Sequence, residues 1–266
     1  MVTSTLGRYR NLITFVRNWP LYFAEKHRSR FEPLEFVTRG NPLRFEVATK
    51  GLYLVFKEIF LTDFYSVREL VRALPREPVV IDAGANAGYF GMMFFSRVPG
   101  ARMFAFEPIE ENYRLCAANI ARNPSLDGRI TLQHAAVTGA PVESVELFAE
   151  EAGTSVTASV VAGFDPRNTR RVRVKAVALA DILREHRLTR VDLLKLDCEG
   201  SEYPIVYESP REVWRAVRAI ALEVHDLDDD RRNVRALTRY LEELGYRCSS
   251  EAAKNGCWAL SARRAE

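Results

Sequence analysis

The chain has 266 residues and a formal net charge of +3, and 47% of its residues are hydrophobic while 27% are charged. This composition is enough to bury one sizeable core and is typical of a single main globular domain. So small a net charge gives no argument for a nucleic-acid partner, no apolar run reaches the length of about 20 residues that a membrane span needs, and no signal peptide is evident. Four scattered cysteines without a C-x-x-C pair favour reduced thiols, so we expect a soluble cytoplasmic protein.

Residues 1–70 are predicted to be a helical and mixed N-terminal segment, and residues 71–266 to be the main domain. Basic and apolar residues alternate over the first 30 positions, and Pro20 divides them into two short helices. Such a segment docks on its own domain or, alternatively, contacts a membrane surface or a second copy in a homo-oligomer. The rest of the segment predicts strands at 43–48 and 52–56 and a helix at 66–74.

From residue 78 onwards, apolar strands alternate with helical segments. This pattern indicates βαβ units and a mostly parallel sheet with helices on both faces. An interruption after the third strand predicts an inserted β-hairpin with a long loop. Asp228 to Asp230 are predicted to begin the last helix, Gly245 to end it, and Lys254-Asn255-Gly256 to turn a C-terminal hairpin. The predicted strands are 79–83, 102–106, 129–133, 144–148, 171–177, 191–197 and 219–225, and the predicted helices are 89–97, 110–122, 179–186, 203–207 and 211–217.

The stretch from Val79 to Phe90 reads as a buried strand, a tight turn and the start of a helix. A helix N-terminus offers free N–H groups, and Gly84 and Gly88 have no Cβ to keep a ligand away. Asn86 stands where the G-x-G-x-x-G fingerprint requires its second glycine, so the stretch does not match a dinucleotide site. Asp82 at the strand tip would repel a pyrophosphate but suits a ligand with an ammonium and a sulfonium, which favours S-adenosylmethionine.

Acidic residues also follow the later strands. Glu107, at the tip of the second predicted strand, is placed to accept hydrogen bonds from both hydroxyls of an adenosine ribose. Asp197 and Glu199 follow an apolar strand, with Glu202 close behind, and the carboxyl ends of such strands are where ligands of open α/β sheets lie. These carboxylates are therefore predicted to share one edge of the sheet.

Three motifs in this order resemble the FkbM-type family of S-adenosylmethionine-dependent methyltransferases. They are D-x-G-x-N-x-G at 82–88, F-E-P at 106–108 and L-L-K-x-D-x-E-G-x-E at 193–202, and the likeness covers residues 75–225. The resemblance implies a class I methyltransferase fold, Rossmann-like, with a seven-stranded sheet that ends in an antiparallel pair. It also implies O-methylation of a hydroxyl on a saccharide or a natural-product-like small molecule.

The resemblance assigns the cofactor contacts residue by residue. Asp82, Gly84, Asn86 and Gly88 are expected to hold the methionine part, and Glu107 the ribose. The adenine is expected at the end of the third strand of the main domain, near His134 and Ala136.

Methyl transfer to a hydroxyl needs an aligned acceptor oxygen and a group that takes its proton. The candidate bases are Asp197, Glu199 and His225. Two interpretations remain open: a general base with orienting carboxylates, or a divalent metal ion held by Asp197, Glu223 and His225. Lys195 is expected to pair with an acid of this cluster.

Two other features leave alternatives. The basic residues from Arg167 to Lys175 alternate with apolar ones, so they form either a solvated strand face or a contact for an anionic acceptor. Besides a small-molecule methyltransferase, we consider a non-catalytic binding protein of the same fold and an enzyme with another acceptor class. A nucleic-acid methyltransferase is disfavoured because no N-P-P-Y motif is present: Asn123-Pro124 continues as Ser125.

Overall fold

A computed structural model describes residues 4–25, 30–151, 153–253 and 256–264. The strands are β1 Leu34–Val37, β2 Arg44–Val47, β3 Val79–Ala83, β4 Arg102–Phe106, β5 Ile130–Gln133, β6 Ala136–Thr138, β7 Ser144–Ala149, β8 Arg170–Ala178, β9 Leu193–Leu196, β10 Ala219–His225, β11 Tyr246–Ala252 and β12 Cys257–Arg264. The α-helices are α1 Thr5–Phe15, α2 Pro20–Glu25, α3 Lys50–Lys57, α4 Val67–Leu70, α5 Tyr89–Arg97, α6 Glu110–Ala121, α7 Leu179–Glu185, α8 Glu202–Glu208, α9 Arg211–Ala216 and α10 Val234–Glu243. A π-helical turn, Glu58–Thr62, follows α3, and 3₁₀ turns lie at Val71–Ala73 and Pro124–Leu126.

The main sheet has seven strands in the order β11-β12-β10-β9-β3-β4-β5. The five strands from β10 to β5 run parallel, and β12 lies antiparallel between β10 and β11. This confirms the predicted parallel sheet with an antiparallel C-terminal pair. Of the predicted turn between β11 and β12, Lys254 and Asn255 lie outside the described residues.

The central strands β3, β4 and β9 are buried on both faces, to which successive side chains point alternately. In β3, Val80 packs with the N-terminal segment, α5 and α6, whereas Ile81 and Ala83 pack with α7 to α10 on the other face. Helices therefore cover both faces, as predicted. The N-terminal segment shares its core with the sheet, and the division of the chain at residue 71 stays a prediction.

The N-terminal segment contains one wrong prediction. Residues 52–56 form not a strand but most of helix α3, which Thr49 caps by accepting a hydrogen bond from the Leu52 N–H. The buried side chains Leu52, Tyr53 and Phe56 lie on one helical face. Strand β2 is present and pairs with β1, which the sequence analysis missed. The helix predicted at 66–74 consists of the short α4 and a 3₁₀ turn.

The predicted insertion is confirmed and is larger than a hairpin. Strands β7 and β8 pair antiparallel, and the short β6 adds to β8 in parallel to make a sheet of three strands.

The prediction that the last helix begins at Asp228 to Asp230 is wrong. The Asp228 carboxylate instead accepts the N–H groups of the next turn, and α10 begins at Val234 after the capping residue Asn233. Gly245, at φ +90°, follows the end of α10 as predicted.

Gly84 and Gly245 both have positive φ but differ in the space around them. A Cβ on Gly84 would lie 1.8 Å from the carbonyl oxygen of Asp197, whereas a Cβ on Gly245 would meet no atom within 4 Å. We therefore expect Gly84→Ala to lower the free energy of unfolding by at least about 2 kcal/mol more than Gly245→Ala, because a backbone carbonyl cannot rotate away. Thermal denaturation followed by circular dichroism measures this, and equal losses in the two variants would contradict the close approach.

Candidate functional site

A single open pocket at the carboxyl edge of the sheet gathers most of the predicted site residues. Its empty volume, which includes space open to solvent, is about 810 Å³. Loops after β3, β4 and β9 supply one wall, and the inserted sheet and the N-terminal segment supply the others. The lining residues are Val55, Glu58, Gly84, Asn86, Glu107, Pro108, Ile109, Asn112, Ala136, Val137, Leu147, Ser155, Val156, Ala158, Asp197, Cys198, Glu199, Ser201 and Glu223.

The turn after β3 has the shape predicted for a ligand-binding loop. Asn86 adopts the left-handed conformation at φ +50°, which asparagine tolerates better than most residues, and its Oδ1 accepts the Ala87 N–H at 2.7 Å. Gly84 and Asn86 line the pocket. Gly88 does not, and a Cβ there would lie 2.9 Å from the Cys116 sulfur, so this glycine is required by helix packing.

Glu107 is buried at the end of β4, where the sequence analysis placed it. Its Oε2 accepts the Asn86 N–H at 2.7 Å and its Oε1 accepts the Ile109 N–H at 2.9 Å. Burial raises the pKa of the Glu107 carboxyl to about 7, although these backbone donors lower it. Oε1 also accepts the Asn112 amide at 3.4 Å, whereas Oε2 keeps a second lone pair and can still accept a hydrogen bond from a ligand in the pocket.

The pocket wall beyond Glu107 is mostly apolar, and it includes one buried polar atom that has no hydrogen-bond partner among the described residues. Asn112 donates to Ser155 O at 2.6 Å, but its buried Oδ1 has no partner among the described residues. Ala136 belongs to this wall, as expected. His134 does not: it stacks on Tyr113 outside the pocket and bonds to Pro108 O at 2.9 Å.

Beneath the pocket lies a buried cation between two acids. The Lys195 ammonium is 3.1 Å from Asp82 Oδ1 and 3.3 Å from Asp197 Oδ2, and it donates to Gly84 O at 2.6 Å. Burial lowers the pKa of Lys195, but the two carboxylates outweigh that effect and raise it, so the ammonium stays charged. The expected ion pair of Lys195 is thus present, and Asp82 lies under the pocket rather than in its lining.

The opposite end of the pocket is strongly acidic. Asp197, Glu199 and Glu223 all line it, and Glu58 reaches it from the first position of the π-helical turn. Burial raises the pKa values of Glu58, Glu199 and Glu223, and the negative charge of Asp197 raises them further, Glu58 to about 7. These carboxyls therefore hold protons more readily than free ones, and Glu58 can exchange its proton near neutral pH.

Tyr65 fixes the orientation of Asp197. Its hydroxyl donates to Asp197 Oδ2 at 2.6 Å, on the same oxygen that faces Lys195. The Tyr65 ring is buried against Phe90 in an edge-to-face contact. Asp197 therefore has a defined side-chain position before any ligand binds.

Two further residues singled out in the sequence analysis, His225 and Glu202, have different surroundings. His225 lies at the edge of the acidic cluster, with Nε2 3.6 Å from Glu199 and 3.7 Å from Glu223, and burial lowers its pKa, which favours the neutral imidazole. Glu202 is fully buried and accepts the N–H groups of Cys198 and Gly200, so it stabilises the turn that presents Asp197 and Glu199.

The basic residues of the inserted sheet lie outside the pocket lining. Arg171, Arg173 and Lys175 alternate on the exposed face of β8, and Arg171 pairs with Glu146 across the strands. This supports the solvated strand face over a contact for an anionic acceptor.

Sequence reasoning missed Glu58, Tyr65 and Asn112. The first two come from the N-terminal segment, where nothing in the local pattern indicates which residue the π-helical turn directs at the pocket. Asn112 follows the F-E-P motif by four residues, and an Asn on the first turns of a helix at a strand end was a signal that could have been used.

The sequence from residue 82 to residue 248 matches the profile of the methyltransferase FkbM domain. The chain belongs to the FkbM methyltransferase family. Among its relatives, methyltransferase sdnD of Sordaria araneosa is 29% identical over 229 residues, covering 77% of this chain and 85% of that protein. The 31-O-demethyl-FK506 methyltransferase FkbM of Streptomyces tacrolimicus is 27% identical over 216 residues, covering 70% and 79%.

A solved structure supports the same fold. The methyltransferase FkbM from Methylobacillus flagellatus superposes with a TM-score of 0.52 at 15% identity, covering 81% of this chain and 56% of that one. The α/β sheet is thus a class I methyltransferase fold, and the protein is a methyltransferase. Among the described residues, none of the helices combines the length and apolarity that crossing a membrane requires.

The buried lysine gives a direct test of the site's electrostatics. We expect Lys195→Met to lose about 3 to 5 kcal/mol of unfolding free energy, because Asp82 and Asp197 lose their cation, whereas the exposed Lys175→Met should lose little. Without the ammonium, the pKa of Asp82 rises further above its unfolded value, so the loss should be smallest near pH about 4 and grow toward neutral pH. Chemical denaturation across this pH range measures the unfolding free energy of the variant and of the wild type. A difference between them that does not change with pH would contradict the ion pair.

Proposed function

We propose that this protein is an S-adenosylmethionine-dependent O-methyltransferase that acts on a hydroxyl of a saccharide or a natural-product-like small molecule. The observation that carries the proposal is the division of one pocket into two ends. One end has Glu107 and an apolar wall, and the other has Glu58, Asp197, Glu199 and Glu223. A cofactor and a polar acceptor can thus meet in a single cavity.

The residues present fit S-adenosylmethionine. Glu107 Oε2 has a free lone pair for a ribose hydroxyl, and the orphaned Oδ1 of Asn112 offers an acceptor for a further donor. The apolar wall with Ile109, Ala136 and Leu147 suits a purine ring. Gly84 and Asn86 are close to the expected position of the methionine part, with Lys195 and Asp82 fixing the strand ends beneath them.

S-adenosylmethionine supplies a methyl group already activated by its sulfonium. The protein therefore has to orient the acceptor oxygen and receive its proton. Asp197, held by Tyr65 and Lys195, is suited to bind and orient the hydroxyl. In their ionised forms Glu58 and Glu199 are suited to take up the proton, since burial and neighbouring charge raise their pKa values and so make them stronger bases, that of Glu58 to about 7.

The acceptor class is supported by the chemistry of the acidic end. Carboxylates accept hydrogen bonds from several hydroxyls at once, as a sugar or a polyhydroxylated natural product presents them. The relative from Streptomyces tacrolimicus is named for methyl transfer to an oxygen of FK506, which is consistent with an oxygen acceptor here.

Cofactor binding should depend on pH through Glu107. Because the pKa of its carboxyl is raised to about 7, it is ionised above pH 7 and protonated below. We expect the affinity for S-adenosylmethionine to fall roughly tenfold from pH 8 to pH 6, as one carboxylate acceptor is lost. Isothermal calorimetry measures it.

The matching variant is Glu107→Gln, which keeps the shape and removes the charge. We expect it to bind roughly ten- to a hundredfold more weakly, with little dependence on pH over the same range. Glu146→Gln, on the exposed edge of β7, is the control and should bind as the wild type does. Unchanged affinity in Glu107→Gln would remove Glu107 from the cofactor site.

Turnover should depend on Asp197. We expect Asp197→Asn to retain cofactor affinity within a few fold and to lose at least about a hundredfold in methyl transfer, because the acceptor loses its orienting carboxylate. The measurement is transfer of a labelled methyl group to an acceptor found by screening sugars and hydroxylated natural products, with the exposed Asp229→Asn as control. An active Asp197→Asn enzyme would place the acceptor elsewhere.

A further inference from the structure

Three side chains of different chemistry meet at the outer end of β10. Glu223 and His225 are two residues apart on β10 and therefore lie on the same face of the sheet. Cys257 on β12 stands directly opposite His225 in the antiparallel register. We propose that Glu223, His225 and Cys257 form a binding site for a divalent transition metal ion of the zinc class.

The distances already approach those of a metal site. Cys257 Sγ lies 3.0 Å from Glu223 Oε1, the same oxygen lies 3.7 Å from His225 Nε2, and one ligand atom from each of the three residues lies within 4.8 Å of the others. Tetrahedral zinc with bonds of about 2.0 to 2.3 Å places its ligands roughly 3.3 to 3.8 Å apart. Small side-chain rotations would bring the three atoms onto one ion.

The ligand set determines the class of metal. A thiolate, an imidazole and a carboxylate together suit zinc or cobalt, whereas magnesium and calcium prefer oxygen ligands. Glu199 Oε2 lies 3.6 Å from the same imidazole nitrogen, next to the ligand set but outside it. Asp197, which the sequence analysis placed in a metal site, is instead engaged by Tyr65 and Lys195.

His225 supplies an independent indication. Its Nδ1 is buried and makes no hydrogen bond to the described residues. Its Nε2 is 3.6 and 3.7 Å from the two carboxylates, which is too long for a hydrogen bond. Neither ring nitrogen therefore has a hydrogen-bond partner among the described residues, and Nε2, the nitrogen that faces the two carboxylates, is free to bind an ion while Nδ1 carries the ring proton.

The ion would lie at the acidic end of the pocket, since Glu223 lines it beside Asp197. Three protein ligands leave a fourth position open, as in catalytic zinc sites. There the ion would bind the acceptor hydroxyl and lower its pKa, and the proton would pass to a neighbouring carboxylate such as Glu199. This role rests on the proposed function, but the metal site itself does not.

Cobalt(II) is the probe because a bound thiolate gives it a charge-transfer band in the near ultraviolet. The full-length protein is stripped with a chelator under reducing conditions and titrated with cobalt(II). We expect saturation at one equivalent, with the band displaced by zinc. We further expect Cys257→Ser to abolish the band and His225→Asn to weaken binding by about tenfold or more, while Cys248→Ser on β11 leaves both unchanged.

Absence of a saturable cobalt site, or a band that survives in Cys257→Ser, would overturn the proposal. Circular dichroism and calorimetry with S-adenosylmethionine show whether each variant is folded. His225→Asn gives a second test should Cys257→Ser fail to fold. Cobalt binding without cofactor binding would refute the proposed function and leave the metal site intact, whereas cofactor binding without cobalt binding would refute only the metal site.

Discussion

The site depends on one buried ammonium. Lys195 connects β9 to the end of β3 through Asp82 and the Gly84 carbonyl, and it holds Asp197 on its other side. Charged groups this deeply buried are stable only when paired, so the positions of the three side chains are determined together. The approach of Gly84 to the Asp197 carbonyl, which leaves no room for a Cβ, brings the two strand ends close enough for that pairing. The loop with Gly84 and Asn86 and the carboxylate of Asp197 are thereby fixed relative to each other.

The N-terminal segment contributes residues to the pocket that the sheet alone does not supply. It packs in the same core as α5 and directs Glu58 and Tyr65 at the acidic end of the pocket. The inserted sheet closes the other side through Leu147 and the loop with Ser155. Elements outside the seven-stranded sheet therefore shape much of the pocket wall, including part of its acidic end.

The sheet and the positions of Asp82 and Glu107 at its carboxyl edge could be predicted because their signals are local. An apolar run ending in Asp82, followed by small residues, specifies a strand and a turn, and Glu107 follows its own strand directly. The strand predicted at residues 52–56 was wrong because an apolar run of that length is compatible with a strand or a helix. The helix-capping hydrogen bond of Thr49 distinguishes the two. Glu58 could not be predicted, since it reaches the site through a π-helical turn and tertiary packing. His134 was placed too near the pocket because the chain turns into β6 immediately after it, leaving Ala136 inside and His134 on the surface.

The most direct measurement is a crystal structure with S-adenosylhomocysteine, the product of the proposed cofactor. We expect its ribose hydroxyls on the Glu107 carboxylate, its adenine against Ile109 and Ala136, and its sulfur facing the end of the pocket that Asp197 and Glu223 line. A nucleoside bound elsewhere, with no ligand atom on the Glu107 carboxylate, would contradict the assignment of this pocket to methyl transfer.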